Sequence, residues 1–287
     1  MKTGMIGLGA MGFPIAMNLH QTGHLACVWN RTRATAETLV ARCGDLVVEI
    51  ASSPAALAAR CELILISVSA DADLRQVIDA LLPTLTPGTI IVDTSTVNAT
   101  TARDMAQRVA AQGARFLDAP VSGGVEGAKN AALVMMVGGD AAALEKAQPV
   151  LLTIAKRIMH MGPSGSGQAT KAVNQIMAAG INQAVTEALS FAQAMQLPLD
   201  KVIEVVSNGA AGNWFLSHRG VTMIRGSYAP GFKVALHHKD LAICKHMADA
   251  ANLALPLTEM TLMHYKSLIE AGYGAEDISA LFRLKKP

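Results

Sequence analysis

The first half of the chain alternates short apolar runs with segments of helical length that are rich in alanine and leucine. Strands that alternate with helices build βαβ units, which form a parallel sheet covered by helices on both faces. The pattern therefore predicts an α/β fold with a doubly wound parallel sheet. The strands are predicted over residues 3–6, 25–29, 63–68, 89–92, 115–117, 133–137 and 157–160, with helices such as 71–82 and 100–112 between them.

The pattern changes after Gly162. Residues 168–196 carry alanine, methionine and leucine at helical spacing, and no convincing strand follows. Such a helix of about 45 Å is longer than a small domain is wide, so it is expected to contact a second subunit as well. We predict a Rossmann-type dinucleotide-binding domain over 1–162 and an all-helical domain over 163–287, in a homodimer or homotetramer. The other predicted helices of the second domain are 201–207, 239–251 and 257–271.

The segment GLGAMG follows the first predicted strand and opens a helix, with its glycines in GxGxxG register. Such glycines permit a tight turn, close approach of the backbone to a pyrophosphate, and close packing of helix on strand. The phosphates then meet the unpaired amides and partial positive charge of a helix N-terminus. A dinucleotide cofactor is therefore predicted to bind at Gly7, Leu8, Gly9, Ala10, Met11 and Gly12.

The second predicted strand ends in CVWNRTR, where a dinucleotide-binding fold usually carries an acidic residue. An acid there binds the ribose hydroxyls of NAD and repels a phosphate. Asn30 is neutral, and Arg31 and Thr32 can donate hydrogen bonds to a 2′-phosphate. One charge-assisted bond is worth about 1.5–3 kcal/mol, so NADP(H) is the predicted cofactor and NAD(H) the alternative. In the other interpretation, Arg31 and Arg33 only solvate the start of a helix.

Two further segments carry groups suited to chemistry on a small anion. DAPVSGGVEGA places a Ser-Gly-Gly turn after a strand, where a hydroxyl and several amides can bind a carboxylate. GQATKAVNQ places Lys171, Asn174 and Gln175 at i, i+3 and i+4, on one face of a helix. A lone helical lysine is usually solvated surface. Its apolar neighbours and its position at the predicted domain junction favour a functional role for Lys171.

Five segments, in this order, resemble the β-hydroxyacid dehydrogenase family over essentially the whole chain. They are GLGAMGFPIAMNL, DTST at 93–96, DAPVSGGVEGA, GSGQATKAVNQ and FKVALHHKDL at 232–241. The family includes 3-hydroxyisobutyrate dehydrogenases, 2-hydroxy-3-oxopropionate reductases and succinic semialdehyde reductases. The resemblance implies hydride transfer between a nicotinamide cofactor and a small carboxylate-bearing aldehyde or hydroxy acid, in a cleft between the two domains.

The resemblance also implies roles for individual residues. Lys171 would be the acid/base, which gives a proton to the carbonyl oxygen as hydride arrives and removes it in the reverse direction. Val68 and Thr96 would line the nicotinamide side, and Lys239 would reach the cofactor. An ordinary surface pair is the alternative for Lys239 and Asp240. The implied substrate-binding residues are Ser122, Gly123, Gly124, Asn174, Gln175, Phe232 and Asp240.

The chain departs from the family's pattern at three positions. Gln175 stands where a second asparagine is common and is expected to reshape the pocket, Ala131 replaces a usual glycine, and Ser69 stands where proline is common. These departures affect the prediction of the substrate more than that of the reaction.

A cluster around Trp214 is a candidate for a wall that selects the substrate. Asn213 and Phe215 flank this residue, and Arg219 follows one helical turn on. If Arg219 points inward, it can bind a second anionic group of the substrate. The alternative is that the cluster belongs to the core and carries a surface charge.

Composition excludes several other classes of protein. The chain is 51% hydrophobic and 16% charged, which is too apolar for disorder, and its net charge of +2 argues against nucleic-acid binding. The apolar run 4–19 does not fit a signal peptide, because glycines, Pro14 and Asn18 interrupt it and no small-residue cleavage site follows cleanly. It is also too short to span a bilayer. These features predict a soluble cytoplasmic protein that contacts no membrane.

No metal site is predicted, because the adjacent His237 and His238 point in different directions on a helix, and no carboxylate completes a familiar spacing with His246.

Two other functions are alternatives to the reductase. The first is a non-catalytic NADP(H)-binding sensor or scaffold, which would be expected to lack the acid/base. The second is an acyl hydrolase using Ser122, to which no histidine and acid can be assigned.

Overall fold

The computed structural model describes residues 1–44 and 47–285 of the chain. The chain divides into two compact units, Met1–Lys171 and Ala172–Pro287. The predicted fold class is confirmed: a mainly parallel sheet with helices is followed by a helical region. The predicted domain boundary near Gly162 stays a prediction.

The described strands of the first unit form one sheet in the order β3-β2-β1-β4-β5-β6-β8-β7, with β9 paired to β8. The pairs from β3 to β6 are parallel, and β8 runs antiparallel to β6 and β7 and parallel to β9. The strands are β1 (Thr3–Ile6), β2 (Leu25–Trp29), β3 (Glu49–Ile50), β4 (Leu63–Ile66), β5 (Ile90–Asp93), β6 (Arg115–Asp118), β7 (Val121–Ser122), β8 (Leu133–Gly138) and β9 (Ala155–Gly162).

Helices cover the two faces of this sheet, and successive residues of β4 show it. Leu63 and Leu65 belong to one buried cluster, whereas Ile64 and Ile66 belong to another. Successive strand residues point to opposite faces, so both faces of the sheet are buried. The helices are α1 (Gly12–Gln21), α2 (Arg33–Ala41), α3 (Pro54–Ala58), α4 (Asp71–Leu81), α5 (Ala99–Ala110), α6 (Gly124–Lys129) and α7 (Ala141–Leu151), with a 3-10 turn at Leu82–Thr84.

The second unit is helical in its described part and has its own buried core. The helix predicted from residue 239 begins five residues earlier, at Val234, because the polar run His237 to Lys239 hides the apolar spacing of its first turns. The helices are α8 (Ser166–Ala194), which begins in the first unit, α9 (Leu199–Ser207), α10 (Trp214–Ile224), α11 (Val234–Ala250) and α12 (Pro256–Glu270), followed by a 3-10 helix at Ile278–Lys285.

The long helix α8 leaves several large apolar side chains exposed. Val173, Met177 and Phe191 are each more than half exposed in the single chain, as is Met195 directly after the helix. The predicted homo-oligomer would cover such residues, and it stays a prediction. Among the described residues, no helix combines the length and the apolar character needed to cross a lipid bilayer.

Ala131 has a backbone conformation that favours glycine, the residue that the resemblance led us to expect there. Ala131 has a φ of 52°, in the left-handed region where a Cβ costs about 1–2 kcal/mol. We expect Ala131→Gly to raise the free energy of unfolding by about 0.5–1 kcal/mol, after the entropy that glycine adds to the unfolded chain. Urea unfolding measures this. Ala111→Gly is the control, because Ala111 has a φ of −62° and its replacement should lower stability. A loss of stability in both variants would contradict the prediction.

Candidate active site

The glycine-rich turn leaves room for a ligand on its outer side. Gly7 has a φ of +86°, and a Cβ at Gly7 or Gly12 would collide with the carbonyl oxygens of Ser67 and Gly7, respectively. Gly9 and Ala10 are exposed, and among the described residues nothing lies within 4 Å of a Cβ built on Gly9. The turn is therefore closed toward the sheet and open toward solvent.

Asn30 holds this turn in place. Its Oδ1 accepts from Leu8 N at 2.9 Å, and its Nδ2 donates to Thr32 O at 2.9 Å. Both ends of the Asn30 amide are therefore used within the protein. Arg31 is exposed and pairs with Asp73 at 3.1 Å, and Arg33 pairs with Glu37 at 2.9 Å.

These residues fit a dinucleotide. Within the described chain, no side chain caps the start of α1 and no acid lies in its first turn, so its amides and partial positive charge face the open side of the turn. A pyrophosphate is the anion that such a helix start can take. Arg31 and Thr32 are exposed directly after β2, the strand that in folds of this type is followed by the ribose-binding residue.

The side chain of Ser95 joins the ends of β4 and β5. Ser95 Oγ accepts from Val68 N at 2.8 Å, and Ser95 N donates to Asp93 Oδ1 at 3.0 Å. Thr96 and Val68, the predicted nicotinamide-side residues, are both half-buried beside these groups. Burial, with smaller contributions from the charges of Asp118 and Asp71, raises the pKa of Asp93 to about 7.

The carboxylate of Asp118 anchors the start of α8. Its Oδ1 accepts from Gly165 N at 2.7 Å and its Oδ2 from Gln168 N at 3.0 Å. A Cβ at Gly138 or Gly167 would crowd Asp118, so both glycines permit this close approach. Burial raises the pKa of Asp118, although the two backbone donors favour its charged form.

Lys171 lies beside the Ser-Gly-Gly turn of the same unit. Its side chain is buried, and Nζ donates to Val121 O at 2.9 Å. Ser122 is half-buried, and Gly123 and Gly124 are exposed with φ values of 126° and 61°, which favour glycine. The fold thus brings a buried ammonium group next to an open turn of backbone amides.

Four predicted residues of the second unit contact one another. Gln175 Nε2 donates to Asp240 Oδ2 at 2.7 Å, and Asn174 Nδ2 donates to Gln175 Oε1 at 2.8 Å. Lys239 pairs with Asp240 at 2.9 Å. Asp240 is only 4% exposed, so an ordinary surface pair does not describe it. Gln175 is therefore the group that links the asparagine to the buried carboxylate.

Trp214 and Arg219 of the predicted substrate wall both lie in α10, and the wall stays a prediction. Trp214 is exposed and stacks on His218, with ring centroids 4.4 Å apart. Arg219 pairs with the buried Asp277 at 3.3 Å, which gives its charge a partner within the protein. Phe232 lies half-buried, 5.2 Å from the ring of His237. The predicted binding of a second substrate anion by Arg219 has no support in this geometry.

Several residues of the site were missed in the sequence. Gln168, Asp118, Ser95 and Asp93 are buried polar residues that connect three strand ends to α8. Each belongs to a quoted motif, DTST, DAPVSGGVEGA or GSGQATKAVNQ, so the signal was present. Their partners lie far along the chain, and a single sequence does not reveal such pairs.

The fold and the glycine-rich turn together define a nucleotide-binding protein of the Rossmann type, and comparison with known proteins makes the class narrower. Residues 2–162 match the family model described as the NAD binding domain of 6-phosphogluconate dehydrogenase. Residues 165–285 match the model described as NAD-binding of NADP-dependent 3-hydroxyisobutyrate dehydrogenase.

Individual relatives agree with these matches. The chain is 35% identical to Escherichia coli 2-hydroxy-3-oxopropionate reductase, over 98% of this chain and 96% of that protein. It is 33% identical to the NAD-dependent L-serine dehydrogenase of Pseudomonas aeruginosa, over 98% and 97%. The solved structure of Mycobacterium tuberculosis 3-hydroxyisobutyrate dehydrogenase with L-serine superposes with a TM-score of 0.90 at 29% identity, over 99% of each chain. The chain belongs to the β-hydroxyacid dehydrogenase family of NAD(P)-dependent oxidoreductases.

Proposed function

We propose that this protein is an NADP(H)-preferring oxidoreductase that interconverts a small β-hydroxy acid and its semialdehyde, with Lys171 as general acid/base. One observation carries the proposal: the buried Lys171 ammonium lies 2.9 Å from Val121 O, directly before the turn of residues 122–124. A cation beside a turn of backbone amides suits a substrate that bears both a carbonyl and a carboxylate. Two relatives are named for L-serine and 2-hydroxy-3-oxopropionate, which are small carboxylates.

A bound nicotinamide cofactor would supply the hydride. In reduction, Lys171 Nζ gives a proton to the carbonyl oxygen, and its charge stabilises the alkoxide that develops there. In oxidation, Lys171 removes the hydroxyl proton. The Ser122 hydroxyl and the amides of Gly123 and Gly124 bind the carboxylate, which fixes the reacting carbon. Asn174, one helical turn after Lys171, orients the substrate.

The remaining predicted residues keep their proposed roles. Val68 and Thr96 line the nicotinamide side, and Lys239 reaches the cofactor. Gln175, Trp214, Phe232 and Asp240 shape the substrate pocket. A non-catalytic sensor or scaffold is not favoured, because the chain carries the lysine and belongs to a family of oxidoreductases.

The preference for NADP(H) rests on Arg31. An exposed ion pair such as Arg31–Asp73 is worth at most about 1 kcal/mol, so a 2′-phosphate can compete for the guanidinium. We expect Arg31→Leu to lower kcat/KM with NADPH by about 10- to 150-fold and to leave kcat/KM with NADH nearly unchanged. The matched control is Arg33→Leu, since Arg33 is also exposed and pairs with Glu37. Equal losses with both cofactors, or an equal effect at Arg33, would exclude a phosphate contact at Arg31.

The activity itself is tested by NADPH oxidation with the purified protein. The substrates are glyoxylate, tartronate semialdehyde, methylmalonate semialdehyde and succinic semialdehyde, each repeated with NADH. Turnover of one of them, faster with NADPH, is the expected result. Tight NADPH binding without turnover of any of the four would contradict the proposal and favour the non-catalytic alternative.

A further inference from the structure

We propose that Gln168 is a positioning residue for this reaction, because its side chain clamps the loop around Thr96 to the first turn of the helix that carries Lys171. The inference rests on the proposed function of Lys171. All the residues that carry it lie within the first compact unit.

The Gln168 amide contacts the loop at two points. Its Oε1 accepts from Val97 N at 3.2 Å, and its Nε2 donates to Ser95 O at 2.8 Å. These two backbone groups lie on either side of Thr96. A neighbouring β-strand binds a residue in the same way, through the backbone groups before and after it. A single bond would leave the loop free to pivot, whereas two bonds fix its orientation. Gln168 is 2% exposed, so water competes little for either bond.

The backbone amide of Gln168 is hydrogen-bonded as well as its side chain. Gln168 N donates to Asp118 Oδ2 at 3.0 Å at the end of β6. Lys171 follows three residues later, about one helical turn, and its Nζ reaches Val121 O at 2.9 Å. One residue therefore joins the end of β6 and the loop after β5 to the start of the helix that carries the proposed acid/base.

The clamp also reaches the end of β4. Ser95, whose carbonyl oxygen Gln168 binds, accepts from Val68 N through its Oγ at 2.8 Å. Val68 and Thr96 are the proposed nicotinamide-side residues, so loss of the clamp would displace both relative to Lys171. A misplacement of about 1 Å between reacting groups can cost about 100-fold in rate.

The first test compares Gln168→Met with Gln183→Met. Methionine has a similar length and makes neither bond. Gln183 is the matched control, because it is 2% exposed in the same helix and donates to Thr261 Oγ1 at 3.1 Å, outside the first unit. We expect kcat to fall by about 10- to 100-fold in Gln168→Met, with a smaller change in the substrate KM, and to stay near wild type in Gln183→Met. Equal falls in kcat in the two variants would overturn the proposal.

The second test uses Gln168→Glu. A protonated glutamic acid can donate to Ser95 O and accept from Val97 N, as glutamine does, whereas the carboxylate can only accept. Burial raises the pKa of such a carboxyl, so the ratio of variant to wild-type kcat should rise as pH falls from about 8 to about 5. A ratio independent of pH would contradict the clamp, because a general loss of structure is not restored by one proton.

The third test does not depend on turnover. Amide hydrogen exchange in residues 95–97 should be faster in Gln168→Met than in wild type or Gln183→Met. Unchanged exchange there overturns the clamp, whatever the activity. If the wild-type protein turns over no semialdehyde, the proposed function fails, and the role of Gln168 in that reaction fails with it. Faster exchange together with a normal kcat would show that the Gln168 contacts stabilise the loop but do not affect catalysis, and this result would also overturn the proposal.

Discussion

Replacing Lys171 with methionine is expected to lower kcat by about 10³-fold in both directions of the reaction. In the proposed mechanism the ammonium both transfers the proton and stabilises the alkoxide, and general acid–base catalysis alone contributes about 10²- to 10⁴-fold. NADPH affinity should stay near that of the wild type, because the glycine-rich turn and Arg31 are unchanged. Steady-state kinetics and cofactor titration by fluorescence measure the two quantities separately.

Two further variants make the Lys171 test specific. Lys171→Arg keeps the positive charge but cannot release its proton near neutral pH, so it should recover little of the lost rate. Lys129→Ala removes an exposed lysine of the same unit that pairs with Glu126, and it should leave kcat unchanged. A Lys171→Met variant that folds, binds NADPH and keeps more than about a tenth of the wild-type kcat would exclude Lys171 as the acid/base.

Replacing Asp93 with asparagine is expected to make the protein more resistant to unfolding at alkaline pH. Asp93 is fully buried, and among the described residues its Oδ2 has no hydrogen-bond partner. Its pKa is raised to about 7 in the folded protein, mainly by burial, from 3.8 when exposed. The folded state therefore retains the proton over this range, whereas the unfolded state releases it.

The sign of the effect follows from this difference. Below the unfolded pKa, both states are protonated and burial of Asp93 carries no ionic cost. Above the unfolded pKa, the unfolded state loses this proton and the folded state keeps it, so the free energy of unfolding falls as pH rises. The fall is complete once pH has passed the folded pKa of about 7. At about 1.4 kcal/mol per pH unit, wild-type stability should fall by roughly 3 kcal/mol through this residue between about pH 5 and about pH 8.

Asp93→Asn should remove that loss, because the amide is neutral and its Oδ1 can still accept from Ser95 N. Urea unfolding at the two pH values gives the difference between variant and wild type. The control is Asp79→Asn at an exposed aspartate that pairs with Arg108, where no comparable change with pH is expected. An Asp93→Asn variant with the same pH dependence as the wild type would show that Asp93 is not a buried acid that holds its proton.

Much of the fold was readable from the sequence because its signals are local. The helix α8 and seven strands were predicted within a few residues, since their spacing of apolar side chains repeats over each element; the strands are β1, β2, β4, β5, β6, β8 and β9. The short elements β3, β7, α3 and α6 were missed. Two to six residues do not complete enough periods to separate a strand or a turn of helix from a loop.

The candidate site was predictable only in part. The glycine-rich turn and Lys171 stand out because their chemistry is visible in a few consecutive residues. The role of Asn30 in binding the cofactor stays a prediction, and its bonds to Leu8 N and Thr32 O were not foreseen. Gln168 was not singled out at all, although it bonds to Ser95 and Val97 from the start of α8.

The sequence by itself determined the architecture, the dinucleotide turn and the proposed acid/base, because periodicity, glycine spacing and motif order are properties of neighbouring residues. Only the tertiary structure decided which polar side chains are buried and what they contact. The low polarity of the folded interior raises the pKa values of Asp93 and Asp118. Gln168 makes its hydrogen bonds to groups that are distant along the chain. Burial and long-range pairing arise from the whole fold, so no short segment encodes them.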